Sequence, residues 1–247
     1  MAMDAADSQV VYVVEPTDVQ VSKTGGFGAN GNPNFTSMPG PSVAGSPLTL
    51  TSVVSDPAGP RGAIIVGTIG GGAYRSVDFG AHWAPFGPLA PFPAAVFTAT
   101  HTPTAGGTYY LGTSQGLYQQ INGGPWAEVT GLHSYSFNTV SVDPFCSSHI
   151  LAAYGEYSGR TNAIQGVRYI GNQGGNVLFS VNNFATYTSL AVGSGTNGPA
   201  IEPHAPFNDV SWDALATAAQ PSTEAYFGAY AASAEVLKFA NALNTCP

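Results

Sequence analysis

The chain of 247 residues carries little charge, with only 8% charged residues, and is rich in turn formers, with 31 Gly and 19 Pro. Its 6 basic residues stand against 14 acidic ones, for a formal net charge of −8. That balance argues against nucleic acid and anionic membranes as partners, because both recruit clustered cations. The sequence has no apolar run of about 18 residues, so we expect no membrane span.

The composition and the first residues give expectations about the location of the protein and its N-terminal segment. Low charge with abundant Ser, Thr, Asn, Gly and Tyr is typical of secreted proteins, so we expect a secreted or extracytoplasmic location. Met1-Ala2-Met3-Asp4 lacks the apolar core of a leader peptide. We therefore expect residues 1–9 to be a disordered N-terminal segment or a cloning remnant, followed by a single domain over 10–247.

In chain order, the strand signals fall into five repeat units. Four of them open with an alternating or apolar run that ends at a turn, followed by a second apolar strand, a turn and a third strand. The first unit lacks the opening strand, and the last lacks a fourth strand. A four-stranded propeller blade needs about 40–50 residues, which suits this spacing. The units lie near 10–40, 46–90, 94–132, 136–192 and 206–247.

The most distinctive motif is Ser-Val-Asp-Phe-Gly-Ala-His-Trp at residues 76–83, which has the form Ser-x-Asp-x-Gly-x-x-Trp. Degenerate copies carry Asn in place of Asp. An Asp or Asn side chain can bond backbone amides across a turn, and Gly permits the positive φ that such turns require. The residues assigned to these structural hairpins are Ser76, Asp78, Gly80, Trp83, Asn122, Gly124, Trp126, Ser180 and Asn182.

This pattern resembles the Asp-box, or BNR, repeat of the sialidase-like β-propeller superfamily. The resemblance implies an all-β fold, a β-propeller of four-stranded Asp-box blades with about five units, either closed as five blades or partial. It implies no single activity, because the superfamily includes sialidases, xyloglucan-cleaving endoglucanases, sortilin-type receptors and photosystem assembly factors. A partial ring would leave sheet faces and edges that another chain or copy must cover.

In these families the Asp-boxes lie on the face opposite the active site. On the face away from the Asp-boxes, two long segments of the fourth unit are predicted to be neighbours. The segments are 155–175 and 193–206. Aromatic rings that stack on sugars, together with charged groups that bond hydroxyls, suit a glycan site. The alternative is that these are ordinary insertions whose Arg and Glu pair with each other. The predicted ligand-binding residues are Tyr157, Arg160, Arg168, Tyr169 and His204.

The leading functional hypothesis is a glycan-recognition or interaction module. The first alternative is a glycoside hydrolase, endoglucanase-like or sialidase-like, with Glu156 and Glu202 as candidate catalytic carboxylates. A complete sialidase site is not expected, because the chain has only 4 Arg and no Phe-Arg-Ile-Pro motif. The second alternative is an assembly propeller that binds protein, through self-association or a missing propeller segment. We expect no cofactor and no metal, since the His spacing is not that of a zinc site.

The two cysteines, Cys146 and Cys246, lie in turns that a propeller would place on the same side of adjacent blades. We predict a disulfide between them that pins the C-terminus. Two free buried thiols are the alternative.

Overall fold

The computed structural model of the chain describes residues 1–88, 95–102, 107–132, 135–143, 146–154, 176–190, 207–212, 224–229 and 235–240. Every regular element in these ranges is a β-strand, and they contain no helix that could cross a membrane. Apart from one two-stranded hairpin, the described strands form five successive sheets, each an antiparallel meander.

The sheets follow chain order. The first contains β1 (Ala2–Met3), β2 (Val11–Val14), β3 (Asp18–Ser22) and β4 (Thr36–Pro39). A small hairpin of β5 (Ser42–Val43) and β6 (Ser46–Pro47) follows. The second contains β7 (Leu50–Ser55), β8 (Ile64–Thr68), β9 (Ala73–Ser76) and β10 (Ala84–Pro85). The third contains β11 (Val96–His101), β12 (Thr108–Thr113), β13 (Gly116–Ile121) and β14 (Trp126–Glu128). The fourth contains β15 (Phe137–Val142), β16 (Ile150–Tyr154), β17 (Asn176–Ser180) and β18 (Thr188–Leu190). The fifth contains β19 (Phe207–Trp212), β20 (Glu224–Ala229) and β21 (Glu235–Ala240).

The first strands of successive sheets lie side by side. β1 lies beside β7, β7 beside β11, β11 beside β15, and β15 beside β19. Stacked sheets with adjacent first strands, four of them with four strands and the fifth with three described strands, are blades of a partial β-propeller, which confirms the predicted all-β fold class. No comparable neighbour relation joins the first and fifth sheets among the described strands.

The meander defines two faces. The connections between first and second strands, and between third and fourth strands, lie at one end of each sheet, which we call the turn face. The connections between second and third strands, and the links between sheets, lie at the other end, which we call the link face.

The structure differs from the sequence prediction at the N-terminus. Ala2–Met3 pairs with β2, so residues 1–9 supply the missing first strand and the first turn instead of a disordered segment. Ala2 packs against the apolar cluster between the first two sheets. A two-residue strand shows no alternation in sequence, which is why the pattern missed it.

One oxygen-bearing side chain is buried directly after the first strand in each of four sheets. Its backbone amide donates to the carbonyl of the residue at the start of the second strand, at 2.9 Å in every copy. Its side-chain oxygen accepts a nearby backbone amide at 2.8 to 3.3 Å. These first-turn residues are Asp4, Asp56, Thr102 and Asp143, none more than 6% exposed.

A second motif, here called the serine hairpin, joins the third and fourth strands of three sheets. The hydroxyl oxygen of a buried serine accepts the amides two and four residues later, at 3.2 to 3.3 Å and 2.9 Å. The residues three and four positions after the serine both have positive φ. The serines are Ser22, Ser76 and Ser180.

The third sheet departs from this motif. Gln120 stands where the others have serine, and Asn122 and Gly123 form a two-residue turn with φ of 49° and 70°. The amide of Gly124 donates to the carbonyl of Ile121 at 2.9 Å. Asn122 keeps the spacing of Asp78, two residues after the serine position, but its own backbone is left-handed, as a short hairpin needs.

The sheets are held together by apolar clusters and by the ring after each hairpin. Trp83 donates its indole N–H to the carbonyl of Pro39 at 2.9 Å, and Trp126 packs edge-on against Phe86 at 5.3 Å between ring centres. Each of these rings reaches the preceding sheet. A Cβ at Gly67 would overlap the carbonyl oxygen of Val96, so glycine there permits the next first strand to pack closely.

The buried first turn generates a stability prediction. Asp4 accepts hydrogen bonds from the Tyr12 hydroxyl at 2.9 Å and from the Gly62 amide at 2.8 Å. Replacement Asp4→Ala leaves buried donors unpaired, and we expect it to lower the free energy of unfolding by about 2–3 kcal/mol. Urea unfolding of the full chain measures this.

The matched control is Asp7→Ala, whose partner Arg61 has a side chain 49% exposed. A loss below about 1 kcal/mol is expected there, as for exposed ion pairs. Equal effects of the two substitutions would contradict the placement of Asp4 inside the first turn.

Candidate functional site

The predicted ligand-binding and catalytic residues lie outside the described residues. They are Tyr157, Arg160, Arg168, Tyr169 and His204, with Glu156 and Glu202. The described strand ends that flank both segments lie together on the link face of the fourth sheet. Tyr154 pairs with Asn176, and Val177 pairs with Leu190, while β19 lies beside β15 and β16.

The link-face turns of the second and third sheets are short and closed by a threonine. The Thr68 hydroxyl donates to the carbonyl of Gly72 at 2.7 Å, and the Thr113 hydroxyl donates to the carbonyl of Gly116 at 2.8 Å. In the fourth sheet Tyr154 takes this register position, and the connection spans 155–175. Of these three sheets, the fourth has an aromatic residue at the threonine position and a long connection in place of the short turn.

Tyr154 belongs to an aromatic group on the link face. Its ring lies 4.6 Å from the ring of Tyr135, tilted by 47°, and 5.6 Å from Phe137. Tyr135 and Tyr154 are half-buried and pack on the cluster between the third and fourth sheets. Sequence reasoning missed this pair. The available signal was a tyrosine at the position where the neighbouring sheets have the turn-closing threonine.

The best-formed polar cluster lies between the second and third sheets, at the turn face. The Arg75 guanidinium contacts the fully buried Asp56 carboxylate at 2.6 and 2.5 Å. The Tyr109 hydroxyl donates to the same carboxylate at 2.5 Å, and burial raises the pKa of that hydroxyl above its ordinary value. Each Asp56 oxygen is thus bonded within the fold, and the cluster braces two sheets.

Most of the charged side chains described on the turn face are paired within the fold. Arg61 pairs with Asp7 at 2.9 Å, and Arg75 pairs with Asp56. His82 contacts Asp78 at 2.6 Å, a hydrogen bond that holds the pKa of Asp78 at about 2. Every carboxylate whose side chain the structure describes has a partner. The Lys23 ammonium lies over the Phe79 ring, 4.1 Å from its centre.

Two histidines are enclosed near the first turns. His149 is 2% exposed, its Nδ1 has no hydrogen-bond partner, and it lies 3.7 Å from the Asp143 carboxylate. Both ring nitrogens of His101 are buried without a hydrogen-bond partner, against the ring of Tyr109 at 4.1 Å. Burial lowers the pKa of both imidazoles. No group of three ligating side chains that could hold a metal occurs among the described residues.

Cys146 lies in the first turn of the fourth sheet and is 3% exposed, with its Sγ 3.6 Å from the Ser148 hydroxyl. Cys246 lies outside the described residues. The disulfide between them stays a prediction.

Comparison with known proteins identifies the fold. No family model matches the chain, and no curated protein matches it. A GH74 xyloglucanase from Xanthomonas campestris superposes with a TM-score of 0.65 at 18% identity, over 97% of this chain and 36% of that chain. YCF48 from Cyanidioschyzon merolae gives 0.55 at 14% identity, over 94% and 66%. YCF48 bound to D1 peptide gives 0.52 at 15% identity, over 92% and 61%.

These neighbours are β-propeller proteins, and at such identities the likeness establishes the fold alone. The chain spans about a third of the length of the xyloglucanase that it matches. The chain is a β-propeller-like protein, and its placement in the sialidase-like family stays a prediction.

The buried imidazoles generate a pH prediction. The pKa of His149 in the folded chain lies below 6.5, the ordinary value. Near that pH the unfolded chain therefore binds a proton more readily than the folded chain does. Stability is therefore complete above pH 6.5 and falls as the pH is lowered. We expect a decline of at most about 1.4 kcal/mol per pH unit for each such histidine.

Urea unfolding between pH 8 and pH 5 measures the decline, in a window above the titration of most carboxylates. His149→Ala installs the residue that the second sheet has at this register position, Ala63. This variant is expected to lose part of the pH dependence. An unchanged slope would contradict the account of His149.

Proposed function

We propose that the chain is a secreted β-propeller module that recognises a carbohydrate on the link face of its fourth sheet. The observation that carries the proposal is the Tyr135–Tyr154 pair, which borders the connection 155–175. The low charge of the chain and its high content of Ser, Thr, Asn and Gly support a secreted location. The link face is also the face away from the serine hairpins.

The chemistry of the two faces supports this assignment. On the turn face, the hydroxyls of the serine hairpins and the carboxylates of the first turns bond backbone amides of the fold. Those groups are not available to a ligand. A tyrosine presents an apolar ring to sugar C–H groups and a hydroxyl to sugar oxygens, so a tyrosine pair suits a neutral glycan. Arg160 and Arg168 on the adjoining connection would add hydrogen-bond donors.

A glycan array that includes xyloglucan oligosaccharides tests the proposal. Tyr135→Ala is expected to weaken binding of the best ligand by about tenfold, the loss of one aromatic contact of about 1–1.5 kcal/mol. Tyr187→Ala is the control, because Tyr187 follows the serine hairpin of the same sheet and is 37% exposed. No bound glycan, or an equal loss in both variants, would contradict the proposal.

Two rival functions are each favoured by one structural neighbour. Likeness to YCF48 bound to D1 peptide favours a protein ligand. Likeness to a GH74 xyloglucanase favours glycoside hydrolysis, with Glu156 and Glu202 as the acid and base or nucleophile.

The hydrolase rival has its own test. Release of reducing ends from xyloglucan by the full chain is measured for the wild type, Glu156→Gln and Glu202→Gln. Removing either member of a catalytic carboxylate pair is expected to lower the rate by at least about a hundredfold. Wild-type rates in both variants would remove these residues as catalysts, and no release of reducing ends by the wild type would remove the hydrolase function itself.

A further inference from the structure

One hairpin of the turn face is longer than its counterparts. In the second sheet Trp83 follows the hairpin serine, Ser76, by seven residues, and the fourth sheet has the same spacing. In the first sheet Phe35 follows Ser22 by thirteen residues. The connection over 23–35, between β3 and β4, is called here the long hairpin loop.

The long hairpin loop is held in place by its own backbone contacts. The amide of Asn34 donates to the carbonyl of Gly26 at 3.0 Å, and Phe27 and Pro33 form an isolated β-bridge. Phe27 is nevertheless 61% exposed, and residues 29–37 are all exposed. The loop therefore extends into solvent with a defined conformation.

The end of the long hairpin loop carries an acceptor sequence. Asn34-Phe35-Thr36 is the only Asn-x-Ser/Thr triplet in the chain. This triplet accepts N-linked glycans at surface segments of secreted proteins. Here it lies directly before and at the start of β4, the outermost strand of the first sheet, and all three residues are exposed. The surface position that the modification requires is therefore present.

The side-chain amide of Asn34 lies at the surface in a fixed place. Its Nδ2 donates to the Thr24 hydroxyl at 3.0 Å, and both residues are exposed. Thr24 stands two residues after the hairpin serine, where the second sheet has Asp78. The amide nitrogen carries two protons, and it keeps one of them when a sugar is attached. The hydrogen bond to Thr24 is therefore compatible with a glycan on Asn34.

We propose that Asn34 is the acceptor of an N-linked glycan. In the transfer, the Nδ2 atom of Asn34 forms a bond to C1 of an oligosaccharide and loses one proton. The bond from C1 to the pyrophosphate of a lipid-linked oligosaccharide donor breaks, and the lipid pyrophosphate leaves with the electron pair. This acceptor role rests on the secreted location in the proposed function, because the donor and the transfer belong to the secretory pathway.

The acceptor lies away from the proposed recognition site. Asn34 precedes the turn-face end of β4, where Thr36 pairs with Val21. The Tyr135–Tyr154 pair lies on the link face of the fourth sheet. A glycan on Asn34 therefore leaves that face open to a ligand.

Intact-mass spectrometry of the full chain, secreted from a eukaryotic cell behind a cleavable leader, tests the proposal. The wild type is expected to carry a mass increment that N-glycosidase removes, with a carboxylate left in place of the Asn34 amide. Asn34→Gln and Thr36→Ala are expected to lose the increment, whereas Thr36→Ser keeps the acceptor triplet and the increment. Asn30→Gln is the matched control, because it makes the same change in the same loop outside the triplet.

The increment is measured in the cell lysate as well as in the medium, so a variant that fails to fold is still scored. A wild type without the increment, an increment that persists in Asn34→Gln, or equal loss in Asn34→Gln and Asn30→Gln would each overturn the proposal. Because the leader supplies the route, these outcomes concern Asn34 itself and not the natural location of the chain. The glycan array uses unglycosylated chain from bacterial cytoplasm, so a failure of the proposed function is a separate result.

Discussion

The fold depends on buried side-chain oxygens that accept backbone amides at the turn face. Asp4, Asp56 and Asp143 do so after the first strand, and Ser22, Ser76 and Ser180 do so after the third. A buried amide without a partner costs about 1–3 kcal/mol, so these turns need an acceptor at a fixed place. The tight turns also need positive φ, which Gly80 provides beside Phe79. With both turn types closed, each meander keeps its register and can stack on its neighbour.

The same constraint separates the two faces of the molecule. Polar groups on the turn face form hydrogen bonds within the fold, and the Asp56–Arg75–Tyr109 cluster links two sheets. The link face of the first three sheets is also largely closed by short turns. The fourth sheet is different, because Tyr154 replaces the threonine that closes such a turn. The proposed recognition site lies at this edge, where a sheet carries a long connection.

Sequence alone predicted the strands from their apolar alternation, and the repeat from turns such as Ser76, Asp78 and Gly80, whose hydrogen bonds close the hairpin. It failed where a segment has no distinctive residue pattern, and where two turns share a residue type but differ in structure. Ala2–Met3 is too short to show a period, so the first strand and the buried role of Asp4 went unseen. Asn122 resembles Asp78 in type, yet Gln120 cannot replace the serine that defines the hairpin. The Tyr135–Tyr154 contact joins residues from different strands, which no local pattern reports.

Native-state hydrogen exchange by NMR measures whether these buried oxygens hold the turns closed. The amides of Gly26, Gly80 and Phe184 lie in turns, where exchange is normally fast, yet each donates to a buried serine oxygen at 2.9 Å. We predict that these three amides exchange as slowly as those of the neighbouring strands, since they open only when the sheet unfolds. Exchange of these amides at the rate of exposed loops would contradict it.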